Sequence, residues 1–356
     1  MESKTFSLVS SEEFFRIGVL VDGIKYSSPP VICDNSLIPR VELLIGDSNR
    51  HTTTRVNNNS PFMFDENSGL QANINGSLVE VSAKLFKRDI GGQDYSFGPI
   101  RRNGSSMVLD WVHSFCDYKC KFCFKEYDWA VLVTNGAMPS KRDRAISVEK
   151  NLETIDKFIT SGGTKDTSLI WLCTGSLNDY ELEREQHFRV LKSLKNGGYA
   201  GRTFLSMAPP KDLVFDKIKA LEVFSAFKEA GLSRNNSGME LVDPDFRKNY
   251  IKGFKGTLTC QNYYNYLSWA KEVFGKEVGS CVLVGLEPQE NSLYALEEFA
   301  NRGIQPVPTI YTSFIREQLN NPVHGSIDDF VFSSLKFKEI VSRYGSEPFN
   351  SVFGLI

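Results

Sequence analysis

The sequence has no apolar run approaching the ~20 residues that cross a bilayer as a helix, so none of it reads as a membrane span. Residues 1–5 lack the basic start and apolar stretch of a secretory leader. No internal repeat of the kind that builds a solenoid is present. An excess of positive charge is also missing: 41 Lys and Arg stand against 43 Asp and Glu, a formal net charge of -2. A strongly basic nucleic-acid surface is therefore not expected, although a local basic groove remains compatible with this balance. The seven cysteines are odd in number and show no paired spacing, which argues against a disulfide framework. Such thiols fit a reducing, cytoplasmic setting.

What the chain does have is a concentration of thiols. Three of the seven cysteines fall in Cys116-Asp-Tyr-Lys-Cys120-Lys-Phe-Cys123, while Cys33, Cys173, Cys260 and Cys281 are isolated. Residues 107–112, just before this loop, read as a short apolar strand. Thiolates are soft ligands that select zinc, copper(I) and iron–sulfur clusters. A closed structural zinc site needs four ligands, usually as two separated pairs. No second pair follows here, and His113 at the strand end is poorly placed to be a fourth ligand. A 4Fe–4S cluster held entirely by protein needs four cysteines. Three cysteines leave one iron with an open position, where a small chelating ligand can bind and receive an electron. An irregular zinc knob, or a disulfide beside a free thiol, are the alternatives that these residues leave open.

The chain around this loop divides into two patterns. In residues 1–100, short β-type runs at 14–21, 41–45 and 78–86 alternate with polar, turn-rich segments. This reads as a β-rich N-terminal extension, serving as a cap on the main domain, a lid or a binding module. Gly91, Gly92, Gly98 and Gly104 mark a linker over 90–105. Residues 101–356 form the second domain. Beyond the strand at 107–112, strands are expected at 168–173, 203–207, 237–242, 280–284 and 306–311. Pro308 weakens the last, because proline cannot donate to a ladder. Between them, apolar faces at helical spacing predict helices over 148–160, 180–195, 212–230, 262–274, 292–300 and 327–344. His187 reads as a packed or solvated helix residue. Strands alternating with helices imply βα units and a parallel sheet, six strands being too few for a closed eight-stranded barrel.

The Cys-x-x-x-Cys-x-x-Cys spacing, with Phe122 before its third cysteine, resembles the signature of the radical S-adenosylmethionine (SAM) superfamily. The resemblance implies a partial six-stranded parallel (β/α) barrel. It also implies a 4Fe–4S cluster on Cys116, Cys120 and Cys123, with SAM chelating the open iron. Reductive cleavage of SAM would give methionine and a 5′-deoxyadenosyl radical that abstracts hydrogen from substrate. An electron donor such as flavodoxin or ferredoxin is implied as partner. Phe122 would pack near adenine or the cluster. Gly175, in Cys173-Thr-Gly-Ser176, matches one position of a Gly-Gly-Glu run that contacts the methionine amino group, without its acidic residue. Ser206 is a polar candidate at a strand end. Glu240 would accept hydrogen bonds from the ribose hydroxyls. Arg247 would hold the methionine carboxylate, or pair with Asp243. Gly285 would let adenine approach the backbone.

With no second cysteine cluster and no cobalamin-binding region, a small polar metabolite, nucleoside or natural-product intermediate is the expected substrate. Methyl or methylthio transfer to RNA or protein is the alternative within the superfamily. A zinc- or cluster-binding interaction protein is the alternative outside it.

Overall fold

A computed structural model describes residues 14–15, 17, 25–26, 40–45, 51–55, 60–65, 68–74, 77–85, 99–103, 105–112, 116–118, 120–123, 141–311 and 326–345. The chain forms a partial six-stranded parallel (β/α) barrel with a β-rich N-terminal extension. His113, Cys33 and residues 90–98 of the expected linker lie outside the described residues.

The extension contains β1 (Lys25–Tyr26), β2 (Arg40–Ile45), β3 (His51–Arg55), β4 (Met63–Asp65), β5 (Gly69–Ile74), β6 (Ser77–Val81) and β7 (Ala83–Leu85). They form two sheets, ordered β1-β4-β5-β6 and β3-β2-β7. The β5–β6 hairpin runs from Leu70 opposite Val81 to Ile74 opposite Ser77. Alternation along β5 puts Leu70, Ala72 and Ile74 into the core. The run expected over 78–86 breaks at Ser82 into β6 and β7, which join different sheets. The β-type run expected from residue 14 is corrected: Phe14, Phe15 and Ile17 are helical. Positions 14 and 17 share a helix face, and both side chains are buried.

The barrel begins with a hairpin, β8 (Ile100–Asn103) and β9 (Ser106–Leu109). Thus the expected linker contains a strand, and the first barrel strand stops three residues earlier than its apolar run. There follow α1 (Lys141–Thr160), β10 (Leu169–Cys173), α2 (Tyr180–Asn196), β11 (Arg202–Ser206), α3 (Lys217–Glu229) and β12 (Arg234–Asn236). Then come α4 (Pro244–Tyr250), α5 (Gly253–Thr257), α6 (Cys260–Phe274), β13 (Val278–Val284), α7 (Gln289–Asn301), β14 (Gln305–Ile310) and α8 (Ile327–Tyr344). The sheet order is β14-β13-β12-β11-β10-β9-β8. Pairings are parallel from β9 to β13. At the end of the order, β14 tolerates Pro308, as edge strands do.

Capping explains where several helices start. Asp179 accepts from Leu182 N, and Asp216 from Lys219 N. Thr259 with Asn262, and Ser326 with Asp329, form reciprocal capping boxes for α6 and α8. The fourth barrel strand is the clearest displacement from expectation. It was expected over 237–242 but is Arg234–Asn236. A charge and two amides hid it from apolar periodicity, whereas buried Met239 and Leu241 belong to the following loop.

Packing divides the chain into two units. One comprises Met1–Arg88, Val282–Glu298 and Val307–Ile356; the other comprises Asp89–Cys281 and Phe299–Pro306. The sequence suggests one boundary near residue 100, but the first unit's core is assembled from distant segments. Phe14, Phe62, Phe64 and Leu70 cluster with Val284, Ile310, Phe330 and Val331. Burial of apolar area, which ignores chain order, sets this division.

Candidate active site

Beyond the C-terminal end of β9, Trp111 turns the chain toward the cysteine loop. Its indole Nε1 donates to Gln186 Oε1 at 3.3 Å, and its ring packs edge-on against His187 at 5.0 Å. Backbone bonds then pin the loop on two sides. Asp117 N donates to Ser176 O at 2.9 Å, in the segment after β10. Lys121 N donates to Tyr250 O at 2.9 Å, and Lys252 N donates to Tyr118 O at 3.1 Å, tying the loop to the α4–α5 junction. Asn178 N also donates to Asp117 Oδ2 at 2.7 Å. Between these ties, Tyr118, Cys120 and Phe122 are buried, while Cys116 and Cys123 are part-exposed. Among the described residues, no group of three or more His, Cys, Asp or Glu is gathered in metal-ligating geometry.

Cys120 sits in an electrostatically unusual position. Burial pushes its thiol well up, Lys255 pulls it down, and Glu240 with the neighbouring Cys123 and Cys116 push it up again. Lys255, itself buried, pairs through Nζ with Glu240 Oε2 at 2.6 Å. Burial disfavours the ammonium, but the negative partners Glu240 and Cys120 hold its pKa above the ordinary range. Sequence reading missed Lys255: Gly-Phe-Lys-Gly has no distinctive spacing, and only α5 brings it to this place. Glu240 has φ 67, the left-handed region that side chains other than glycine rarely adopt. Its N–H donates to Cys281 O at 2.8 Å. Strained backbone of this kind persists where the surroundings over-determine it.

Arg247 supplies that over-determination. Its Nη1 donates to Met239 O and Leu241 O, both at 2.7 Å, on either side of Glu240. Its Nη2 donates to Lys255 O at 2.8 Å, and its Nε to Leu258 O at 2.9 Å. The guanidinium also stacks over the Tyr263 ring at 5.1 Å. Neither expected role for Arg247, carboxylate capture or pairing with Asp243, matches this geometry. Four of its five N–H groups bind backbone carbonyls, and Asp243 instead caps α4 through Asp245 N and Phe246 N. Arg247 therefore clamps together the two segments that carry the Glu240–Lys255 pair.

The other expected residues divide. Gly175 is buried in the loop after β10, beside the Ser176 carbonyl that holds the cysteine loop. Ser206 ends β11, and its Oγ accepts from Asn236 Nδ2 at 3.3 Å. In the other unit, Gly285 has φ 97, and a Cβ there would come within 2.3 Å of the Phe330 ring. The room that glycine leaves at Cβ is thus filled by Phe330. Replacing Gly285 with alanine is expected to destabilise the fold by about 2 kcal/mol or more, from overpacking and backbone strain together. A urea melt checks this through a lowered midpoint.

Two buried groups of α2 make stability depend on pH. Burial pushes Glu183 up to about 8, although Leu177 N and Ser176 hydrogen-bond it. Burial pushes His187 down to about 4. With its folded pKa raised, Glu183 binds more protons folded than unfolded between its ordinary 4.5 and about 8, so its contribution is lost as pH rises through that window. His187 acts oppositely, its contribution being lost as pH falls from its ordinary 6.5 toward about 4. Between the two pKa windows' upper ends, from 6.5 to 8, Glu183 dominates this pair. Glu183→Gln is expected to remove most of the decline in unfolding free energy over that interval, read from denaturant melts at several pH values.

No family model matches the chain, and no curated protein matches it. Among solved structures it is similar to HydG, a maturase of the FeFe-hydrogenase, at 15% identity and TM-score 0.43, covering 67% of this chain and 48% of that one. It is similar to methylornithine synthase (PylB) at 12% identity and TM-score 0.43, covering 65% and 62%. The cobalamin-dependent SAM radical enzyme OxsB matches at 16% identity and TM-score 0.37, covering 78% and 36%. The chain spans less than two thirds of the length of each. Among the described residues, no helix is long and apolar enough to cross a membrane.

Proposed function

We propose that this chain is a radical SAM enzyme, with Cys116, Cys120 and Cys123 as ligands of a 4Fe–4S cluster. The observation that carries this reading is the buried Cys120, within electrostatic reach of Cys116, Cys123 and the buried Lys255–Glu240 pair. The residues fit the group by donor chemistry. Cys120 feels the charge of Cys123 and Cys116, and the loop bearing them is tied down by its own backbone. When bound, the reduced cluster would supply one electron to the sulfonium of SAM, whose C5′–S bond would break to give methionine and a 5′-deoxyadenosyl radical able to take hydrogen from a substrate.

This chain's own residues orient and shield. Tyr118, Cys120 and Phe122 are buried together, which keeps water from Cys120. Lys255 places a fixed positive charge beside Cys120, which stabilises its thiolate. Glu240 Oε2 is buried against Lys255 Nζ, so its other carboxylate oxygen would be the acceptor for the ribose hydroxyls. Gly175 and Ser206 line neighbouring strand ends. Arg247 acts as a positioning residue for Glu240 and Lys255. The substrate is a small polar molecule, and the electron comes from a flavodoxin- or ferredoxin-type donor in the cytoplasm.

Anaerobic reconstitution with iron and sulfide tests the reading. The expected product is a brown, redox-active protein that forms 5′-deoxyadenosine from SAM under reductant. Stoichiometric zinc without SAM cleavage would sink it. Formation of S-adenosylhomocysteine would move the reaction to methyl or methylthio transfer.

A further inference from the structure

Helix α2 touches Trp111 and the cysteine loop with residues of one face. Tyr180, Glu183 and His187 are spaced i, i+3 and i+7 along it. Tyr180 Oη lies 3.5 Å from Tyr118 Oη in the loop. His187 packs against the Trp111 ring, and Gln186 accepts from the Trp111 indole. Further along, Val190, Leu191 and Leu194 continue the buried face with apolar side chains.

Glu183 breaks that apolar pattern. It is 2% exposed, and a buried carboxyl is costly unless it is hydrogen-bonded. Its Oε2 accepts from Leu177 N at 3.0 Å. Residues 174–179, between β10 and α2, have no regular structure, so no ladder or helix bond serves this N–H. The same segment grips the cysteine loop on either side of Leu177. Ser176 O accepts from Asp117 N at 2.9 Å, and Asn178 N donates to Asp117 Oδ2 at 2.7 Å. Ser176 Oγ accepts from Ala208 N at 3.3 Å, tying the segment to the chain beyond β11. Asp117 directly follows Cys116.

We propose that Glu183 is a positioning residue for the cluster loop. By accepting from Leu177 N it holds residues 176–178 in the shape that clasps Asp117, and so fixes Cys116. This rests on the enzyme reading above and adds a residue outside the ligand set to that site. Burial pushes the carboxyl up to about 8, so at neutral pH it acts as a neutral acceptor, a form that glutamine copies. The groups facing it are Asp117 and Tyr118 of the cysteine loop, Ser176, Arg184 on its own helix and Tyr266 of α6. Arg184 is itself engaged by Asp212 at 2.9 Å.

The test compares the wild-type full chain with Glu183→Gln, which keeps the acceptor, and Glu183→Leu, which keeps the volume and loses it. Before iron is added, Glu183→Leu is expected to take up deuterium at Asp117 and Asn178 roughly tenfold faster, with α6 unchanged. After anaerobic reconstitution, it is expected to lose iron to EDTA roughly tenfold faster than wild type. Glu183→Gln is expected to match wild type in both measurements. A folded Glu183→Leu that matches wild type in either would overturn the proposal. So would a Glu183→Gln as impaired as Glu183→Leu. Uptake raised equally across β10, α2 and α6 would assign Glu183 to general stability and reject the clasp. If Glu183→Leu does not fold, wild type and Glu183→Gln are compared at about pH 9, where wild-type Glu183 is ionised. Opening of 176–178 would hydrate that charge, so wild type alone is expected to exchange faster at Asp117 and Asn178. Equal exchange in the two would reject the clasp. A wild-type chain that takes up no iron counts against the enzyme reading instead, and the exchange measurements still decide the clasp.

Discussion

Cys120→Ser is expected to abolish cluster assembly. Iron content after anaerobic reconstitution falls from about four per chain to background. Formation of 5′-deoxyadenosine falls by more than the roughly 10–100-fold that losing an outer-shell partner costs at a metal site. Cys120 is chosen because burial already disfavours its thiolate and only Lys255 offsets this. A serine hydroxyl is far less acidic than a thiol and a poor soft ligand, so Lys255 cannot rescue it. Cys260→Ser is the control: Cys260 starts α6 and donates through Sγ to Val242 O at 3.4 Å, away from the loop. It is expected to keep full iron content. Equal iron in both variants would remove Cys120 from the ligand set.

Arg247→Ala is expected to lower unfolding free energy by at least about 3 kcal/mol, because it strands buried carbonyls at about 1–3 kcal/mol each and opens a cavity. The carbonyls of Met239, Leu241, Lys255 and Leu258 lose their donor together. Arg247→Lys is expected to recover only part of this. An ammonium is a point charge and cannot span four acceptors set out for a planar fork. Since two of those carbonyls flank Glu240 and a third is that of Lys255, the loss should also reach the site. Weaker SAM binding by the folded fraction of Arg247→Lys, measured by equilibrium dialysis, would register that coupling. An unfolding free energy within about 0.5 kcal/mol of wild type for Arg247→Ala would show that the clamp is dispensable.

The legible parts of this chain were those whose signal is local. Helix α8 starts and stops where periodicity puts it. The strands β10, β11 and β13 carry apolar runs that leave little choice of assignment. By contrast, β12 is Arg-Asn-Asn, a strand whose side chains are satisfied only by neighbours on other strands. Arg234 is paired with Glu277 and Gln305, far along the chain. No window of sequence contains those partners. Misplacing β12 also made Glu240 look like a strand end, when it is a left-handed loop residue.

The sequence by itself determined the cysteine loop, its place just after the first parallel strand, and the alternation of strands and helices. These follow from residue type, spacing and period, which are properties of neighbours along the chain. Only the tertiary structure decided that Lys255 faces Glu240 and Cys120, that Arg247 is a clamp, and that Phe330 fills the space at Gly285. Each depends on burial, where a charge must find its partner and a volume must be filled. Those demands are met by residues that happen to be near in space, and spacing along the chain does not encode them.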